Sequence, residues 1–319
     1  MIRKQFLVLG VAAAVLAAGA AWWRLAPTPV PTLPGLTDAQ MANLFAEPTP
    51  APDGALRVFH IGHSLVNLDM PAMLSQLAGD GHGYESQLGA GASLRMHWGD
   101  EPVRAFEEAN AHPRYRDARE AVASGDYDAI VLTEMVEIRD ALRYFDSGRY
   151  LSQFTEAARS TRPDTRVYLY ETWHPLDDPE GWLERLDRDL PLYWEAGILR
   201  PALYNLPEGA RIGLIPAGQA MAALVREIEQ RGGVGNVRDR NDLFSDQIHL
   251  NDLGNYFVAL VHYAVLYGSS PEGLPHQLLR ADGTPATAPD AETARLMQDV
   301  AWRVVRSIPA TGVGANPPS

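Results

Sequence analysis

Cysteine is absent from all 319 residues, which excludes disulfides, a thiolate nucleophile and any zinc site built on sulfur. Nucleophilic chemistry, if present, falls to Ser, Thr, Asp or Lys. Positive charge is also scarce: 27 Lys and Arg stand against 40 Asp and Glu, a formal net charge of −13. Such a surface repels phosphates, which argues against nucleic acid or an anionic membrane surface as partner. A small molecule or a polysaccharide fits better. No internal repeat runs at a solenoid or propeller period. What the chain does have is 46% hydrophobic residues, enough at this length to bury a full core.

The opening stretch, "MIRKQFLVLGVAAAVLAAGAAWWRLAP", places Arg3 and Lys4 before an uncharged run from Gln5 to Trp23. It reads as a signal peptide with small residues at Ala18 and Ala20 for cleavage, or as a retained membrane anchor with Trp22 and Trp23 at the interface. Residues 1–25 are therefore set apart from the fold, and the rest is expected outside the cytoplasm, periplasmic or anchored to the membrane. Residues 26–54 are rich in Pro and Ala and read as a semi-rigid spacer carrying one short helix at Asp38–Phe45. The end, residues 308–319, lacks apolar periodicity and is expected to be disordered.

Between them, over 55–307, strand-like apolar runs alternate with helical ones. Strands are expected at Leu56–Ile61, Tyr84–Leu88, Ala129–Leu132, Val167–Tyr170 and Ile212–Ile215. Helices are expected at Pro71–Ala78, Arg114–Ala123, Gly148–Ser160, Trp182–Ala196, Gly218–Arg231, Leu253–Tyr267 and Ala291–Val305. Strict alternation with short connections implies an α/β fold, a three-layer α/β/α sandwich around a mainly parallel sheet. Ligands of such sheets bind beyond the carboxyl ends of the strands.

At that end of the first strand stands "RVFHIGHSLVNLDMP", where Gly62 permits a tight turn and Ser64 can project into the crevice. A serine there commonly caps the next helix. Near the other end of the domain, however, "DLFSDQIHLNDLGNYFVAL" holds Asp246 three residues before His249, ahead of an apolar helix. A carboxylate so placed can fix the imidazole tautomer while the other ring nitrogen faces outward as a base. A serine hydroxyl needs such a base to become a nucleophile.

These blocks resemble the SGNH hydrolases, the GDSL esterase and lipase superfamily, over roughly Leu56–Tyr267. The family's Gly-Asp-Ser-Leu appears here as Gly62-His63-Ser64-Leu65, and its Asp-x-x-His as Asp246-Gln247-Ile248-His249. The resemblance implies a flavodoxin-like SGNH fold, with Ser64 as nucleophile, His249 as general base and acid, and Asp246 as orienting carboxylate. It also implies an oxyanion hole built from the Ser64 N–H and a glycine after the second strand. Gly91 is the preferred candidate and Gly89 the alternative. The family's third block, Gly-x-Asn-Asp, normally gives an Asn side chain to the same hole, but here the third strand is followed by "TEMVE", with no Asn.

Residues just past the strands should border the crevice, which places Thr133, Glu134, Glu171 and Trp173 near Ser64. Thr133 is expected to stand nearest the missing Asn as the third oxyanion donor. Glu134 is expected to bind a cation, a hydrogen-bond donor or a substrate hydroxyl, and Glu171 and Trp173 to contact substrate. Trp98, Trp173 and Trp182 fit either sugar stacking or ordinary burial. His60, His63, His82 and His97 show no metal-binding spacing, and no metal or other cofactor is called for. His63 is expected to point aside. The implied activity is hydrolysis of a short acyl ester, an O-acetyl group on carbohydrate being favoured by compartment and charge. Acyl transfer to a polysaccharide and non-catalytic carbohydrate binding are the alternatives.

Overall fold

A computed structural model describes residues 29–314, and the candidate export or anchor segment lies outside them. Thr32 onward belongs to one compact unit. Its centre is a five-stranded sheet of β1 (Arg57–Gly62), β2 (Gly83–Leu88), β3 (Ala129–Leu132), β4 (Arg166–Glu171) and β5 (Gly213–Pro216). All neighbours pair in parallel, in the order β2-β1-β3-β4-β5. This is the flavodoxin-like strand order, in which the connections diverge on either side of β1 and leave a crevice at its carboxyl end. Buried on both faces, the strands read as continuous apolar runs such as Ala129–Leu132 rather than as alternation.

The longer helices are α1 (Asp38–Leu44), α2 (Asp69–Ala78), α3 (Leu94–Trp98), α4 (Ala118–Ser124), α5 (Ile138–Tyr144), α6 (Ser147–Thr161), α7 (Trp182–Asp189), α8 (Ala217–Gln230), α9 (Asp252–Tyr267) and α10 (Ala291–Ser307). One layer packs α2, α8, α9 and α10 together, and the other joins α4 and α6 with α3. Helix α9 buries 13 of its 16 residues, which is why its sequence is apolar around the whole circumference. Helix α7 widens into a π-helical stretch at Leu190–Leu199, beginning where Pro191 has no N–H to give. A final α-helical turn at Arg200–Tyr204 then ends the element.

The expected strands and helices are found within a few residues of their bounds, except that the helix expected from Arg114 begins at Ala118 and the one from Trp182 runs on to Tyr204, while α3 and α5 were not expected. The composition misleads at both ends of the domain. Residues 32–54 pack on it instead of spanning free space. A capping box between Thr37 and Gln40 starts α1, which buries Met41, and Phe45 follows it inward. Arg200 pairs with Asp38, and Arg211 donates to the Glu47 carbonyl at 2.9 Å. The segment expected to be a disordered tail is likewise docked as far as Gly314. Thr311 is buried and donates to the Val305 carbonyl, and Thr49 N–H donates to the Gly312 carbonyl at 2.8 Å. Proline and small residues here serve close backbone packing, which hydrophobic periodicity does not reveal.

Candidate active site

Beyond Gly62 the chain turns sharply, with Val66 N–H bonded to the His63 carbonyl, and Ser64 is exposed at the apex. Gly62 is required by crowding: a Cβ there would lie 2.5 Å from Thr133 Cγ2 and 2.8 Å from Val66 Cγ2. His249, contributed by the loop before α9, places Nε2 2.9 Å from Ser64 Oγ. On its other side Nδ1 lies 2.7 Å from Asp246 Oδ2, while Asp246 Oδ1 accepts the His249 and Ile248 N–H groups at 2.7 and 2.8 Å. These bonds, the His249 N–H first, pull the Asp246 carboxyl down to about 2. The ionised carboxylate holds Nδ1–H, leaving the Nε2 lone pair to accept from the serine hydroxyl. The three residues thus form one hydrogen-bonded chain open to solvent.

A cleft of about 450 Å³ opens beside it, lined by Ser64, Leu68, Leu88, Ala90, His249 and Leu250 among others. The Ser64 and Gly91 backbone N–H groups have no protein acceptor among the described residues, whereas Gly89 N–H donates to the Gly62 carbonyl. Gly91 has φ +61°, a conformation that glycine adopts freely, and nothing lies within 4 Å of where its Cβ would be.

The remaining expected site residues turn inward. Thr133 is fully buried, its N–H donates to the Ile61 carbonyl at 3.0 Å, and its hydroxyl reaches only the Glu134 carbonyl at 3.5 Å. Sheet pairing has taken the donor that an oxyanion would need, so the expectation for Thr133 does not hold in this geometry. Glu134 is buried beneath the turn. Its carboxylate accepts from Leu94 N–H at the start of α3 and from Met135 N–H, and burial pushes it up to about 7. Glu171 accepts from Gln219 in the first turn of α8, and burial pushes it up to about 8. Trp173, fully buried, donates Nε1–H to the Ile248 carbonyl at 2.8 Å, and Leu176 N–H bonds the Gln247 carbonyl. The β4 loop therefore props the loop of Asp246 and His249 from behind rather than touching the cleft. Trp182 donates to the His174 carbonyl and Trp98 packs edge-on against Phe154.

Two histidines support the serine turn in ways the sequence did not disclose. Contrary to expectation, His63 does not point aside: its ring reaches the Glu134 carbonyl through Nε2 at 2.8 Å while Nδ1 accepts Leu65 N–H. Gln87 Oε1 accepts Ala118 N–H, so its Nε2 must donate to His97 Nδ1, and His97 Nε2–H donates in turn to the Gly62 carbonyl at 2.7 Å. Both rings are neutral, burial holding each at about 4. Among the described residues no three His, Asp or Glu side chains are grouped to hold a metal ion, and no helix is long and apolar enough to cross a membrane.

No family model and no curated protein matches the sequence. Among solved structures the chain is similar to a DUF4886 family protein from Bacteroides uniformis, with TM-score 0.52 and 15% identity over 79% of this chain and 95% of that one. It also aligns with a putative platelet activating factor from Streptococcus pneumonia, at TM-score 0.38 and 14% identity over 72% and 92% of the two chains. A gut microbial diltiazem-metabolizing enzyme aligns at TM-score 0.38 and 12% identity, over 69% and 49%. At these identities the first likeness bears on architecture alone: the chain has an α/β/α fold around a five-stranded, all-parallel sheet.

Proposed function

We propose that this protein is a serine esterase of the SGNH type that cleaves short acyl esters through an acyl-enzyme. The observation that carries the proposal is the unbroken chain from Ser64 Oγ through His249 to Asp246, formed by residues 185 positions apart. Ser64 Oγ attacks the ester carbonyl as its proton passes to His249 Nε2. The Ser64 and Gly91 N–H groups stabilise the oxyanion. The carbon–alkoxy bond then breaks, His249 returns the proton to the departing alcohol, and the acyl group remains on Ser64. Water, deprotonated by His249, releases the acid and restores the serine. Asp246 stays ionised throughout and steadies the imidazolium.

The net charge of −13 and the carboxylates at the cleft favour a neutral substrate, and an O-acetyl group on carbohydrate is the substrate we assign. The run from Gln5 to Trp23 supports placement outside the cytoplasm, as an exported or membrane-anchored protein. Incubation with a fluorophosphonate tests the proposal directly. Ser64 should be labelled, and Ser64→Ala and His249→Ala should each lower kcat for an acetyl ester by about 10⁴-fold or more, the double change costing little beyond either. Labelling of a different serine, or none, overturns it.

A further inference from the structure

Asn255 lies on α9 six residues beyond His249, only 4% exposed, and lines the same cleft as Ser64. Its amide orientation is dictated by a neighbour. Asn67 Oδ1 accepts the backbone N–H groups of Asp69 and Met70, at 2.8 and 3.1 Å, so the atom of Asn67 facing Asn255 at 2.8 Å is Nδ2. Asn255 must answer that donor with Oδ1, which leaves its own Nδ2 for another partner. No protein acceptor among the described residues takes the Nδ2–H groups of Asn255. Asn67 is held at φ +46°, a conformation asparagine adopts more readily than other non-glycine residues.

That Nδ2 opens to the cleft, where a ligand oxygen can replace water as its acceptor. The reaction geometry says which part of the ligand supplies that oxygen. His249 must hand its proton to the departing alcohol, so the alcohol occupies the His249 side of Ser64, where α9 and Asn255 stand. The other polar side chains in the cleft include the carboxylates of Asp69 and Glu108, which can accept from hydroxyls, and among the described residues no Arg or Lys lines it. An anionic alcohol would meet like charge there.

We infer that Asn255, oriented by Asn67, donates a hydrogen bond to an oxygen of the leaving alcohol, and that the cleft takes a neutral, oxygen-rich alcohol such as a sugar or polyol. This rests on the esterase reading above. The test compares two acetyl esters of matched length, 2-methoxyethyl acetate and butyl acetate, whose alcohols differ by one oxygen that can only accept. Asn255→Asp keeps the acceptor for Asn67 and removes the donor; Asn255→Leu removes both. The ratio of kcat/KM for the ether ester over the butyl ester should fall about tenfold or more in each variant, and fluorophosphonate labelling of Ser64 should persist. The ratio cancels the intrinsic reactivity of the esters. An unchanged ratio in variants that still label overturns the assignment of Asn255, including the case where both esters slow equally. A wild-type protein that neither labels nor cleaves butyl acetate overturns the esterase reading itself.

Discussion

Lowering the pH from 6.5 toward 5 will destabilise this protein steeply. Four histidines, His60, His63, His97 and His262, are buried. Burial lowers the last three from 6.5 to about 4, and His60 well below its usual value. A histidine depressed in the fold contributes stability that is complete above the unfolded value of 6.5 and is lost as pH falls toward the folded one. Two buried glutamates oppose this. Glu134 and Glu171, raised from 4.5 to about 7 and about 8, stay protonated in the fold while the unfolded chain has released its protons, so they lose stability as pH rises from 4.5. At pH 5.5 His63, His97 and His262 each take up most of a proton on unfolding, His60 adds in the same direction, and each glutamate gives up most of one. Four histidines outweigh two glutamates, a net uptake on the order of one to two protons and a slope of about 2 kcal/mol per pH unit. His82, also lowered to about 4, adds in the same direction. Above neutrality the histidine contribution is exhausted and Glu171 still titrates, so stability should peak at about pH 6.5–7 and decline gently beyond. Urea unfolding at pH 5, 6, 7 and 8 measures the curve. His60 sharpens the test because neither ring nitrogen has a partner. His60→Leu should stabilise the protein near pH 5 and make the slope visibly shallower. A stability that is flat or rising between pH 6 and 5 would refute the reasoning.

Two substitutions probe the supports of the site. Thr133→Val should leave kcat within about threefold of wild type, whereas loss of a genuine oxyanion donor lowers it by about 10²–10³; steady-state kinetics on an acetyl ester distinguishes them. Trp173→Phe strands the Ile248 carbonyl, which should remove about 1–3 kcal/mol of stability and, by loosening the loop of His249, lower kcat about tenfold or more with KM little changed, as read by urea unfolding and steady-state kinetics.

The architecture was legible because strands buried on both faces write themselves as unbroken apolar runs, and five of them alternated with helical periodicity. The convergence of Ser64, Asp246 and His249 was legible because a hydroxyl, an imidazole and a carboxylate stood at particular spacings near chain reversals. The supports were not. Glu134 and Glu171 follow strands as crevice residues should, yet each carboxylate is taken up by nearby backbone N–H groups at the start of α3 or within the first turn of α8, a contact that depends on tertiary docking. His63 occupies a position in a motif where direction, not identity, matters, and direction follows from the Glu134 carbonyl 71 residues away. Asn67 and Asn255 are 188 residues apart and are ordinary asparagines until the fold joins them.

The distance along the chain between Ser64 and His249 also gives the protein a timetable. A polypeptide made or threaded from its N-terminus presents the serine turn long before the histidine that bonds to it. Helix α9 carries that residue's loop into place, and α9 is too thoroughly buried to hold its position before α2, β5 and α8 are there to receive it. Until then Ser64 is an ordinary alcohol. On the proposed reading an emerging chain stays inert until that docking, and the appearance of serine reactivity can serve as a clock for the arrival of α9.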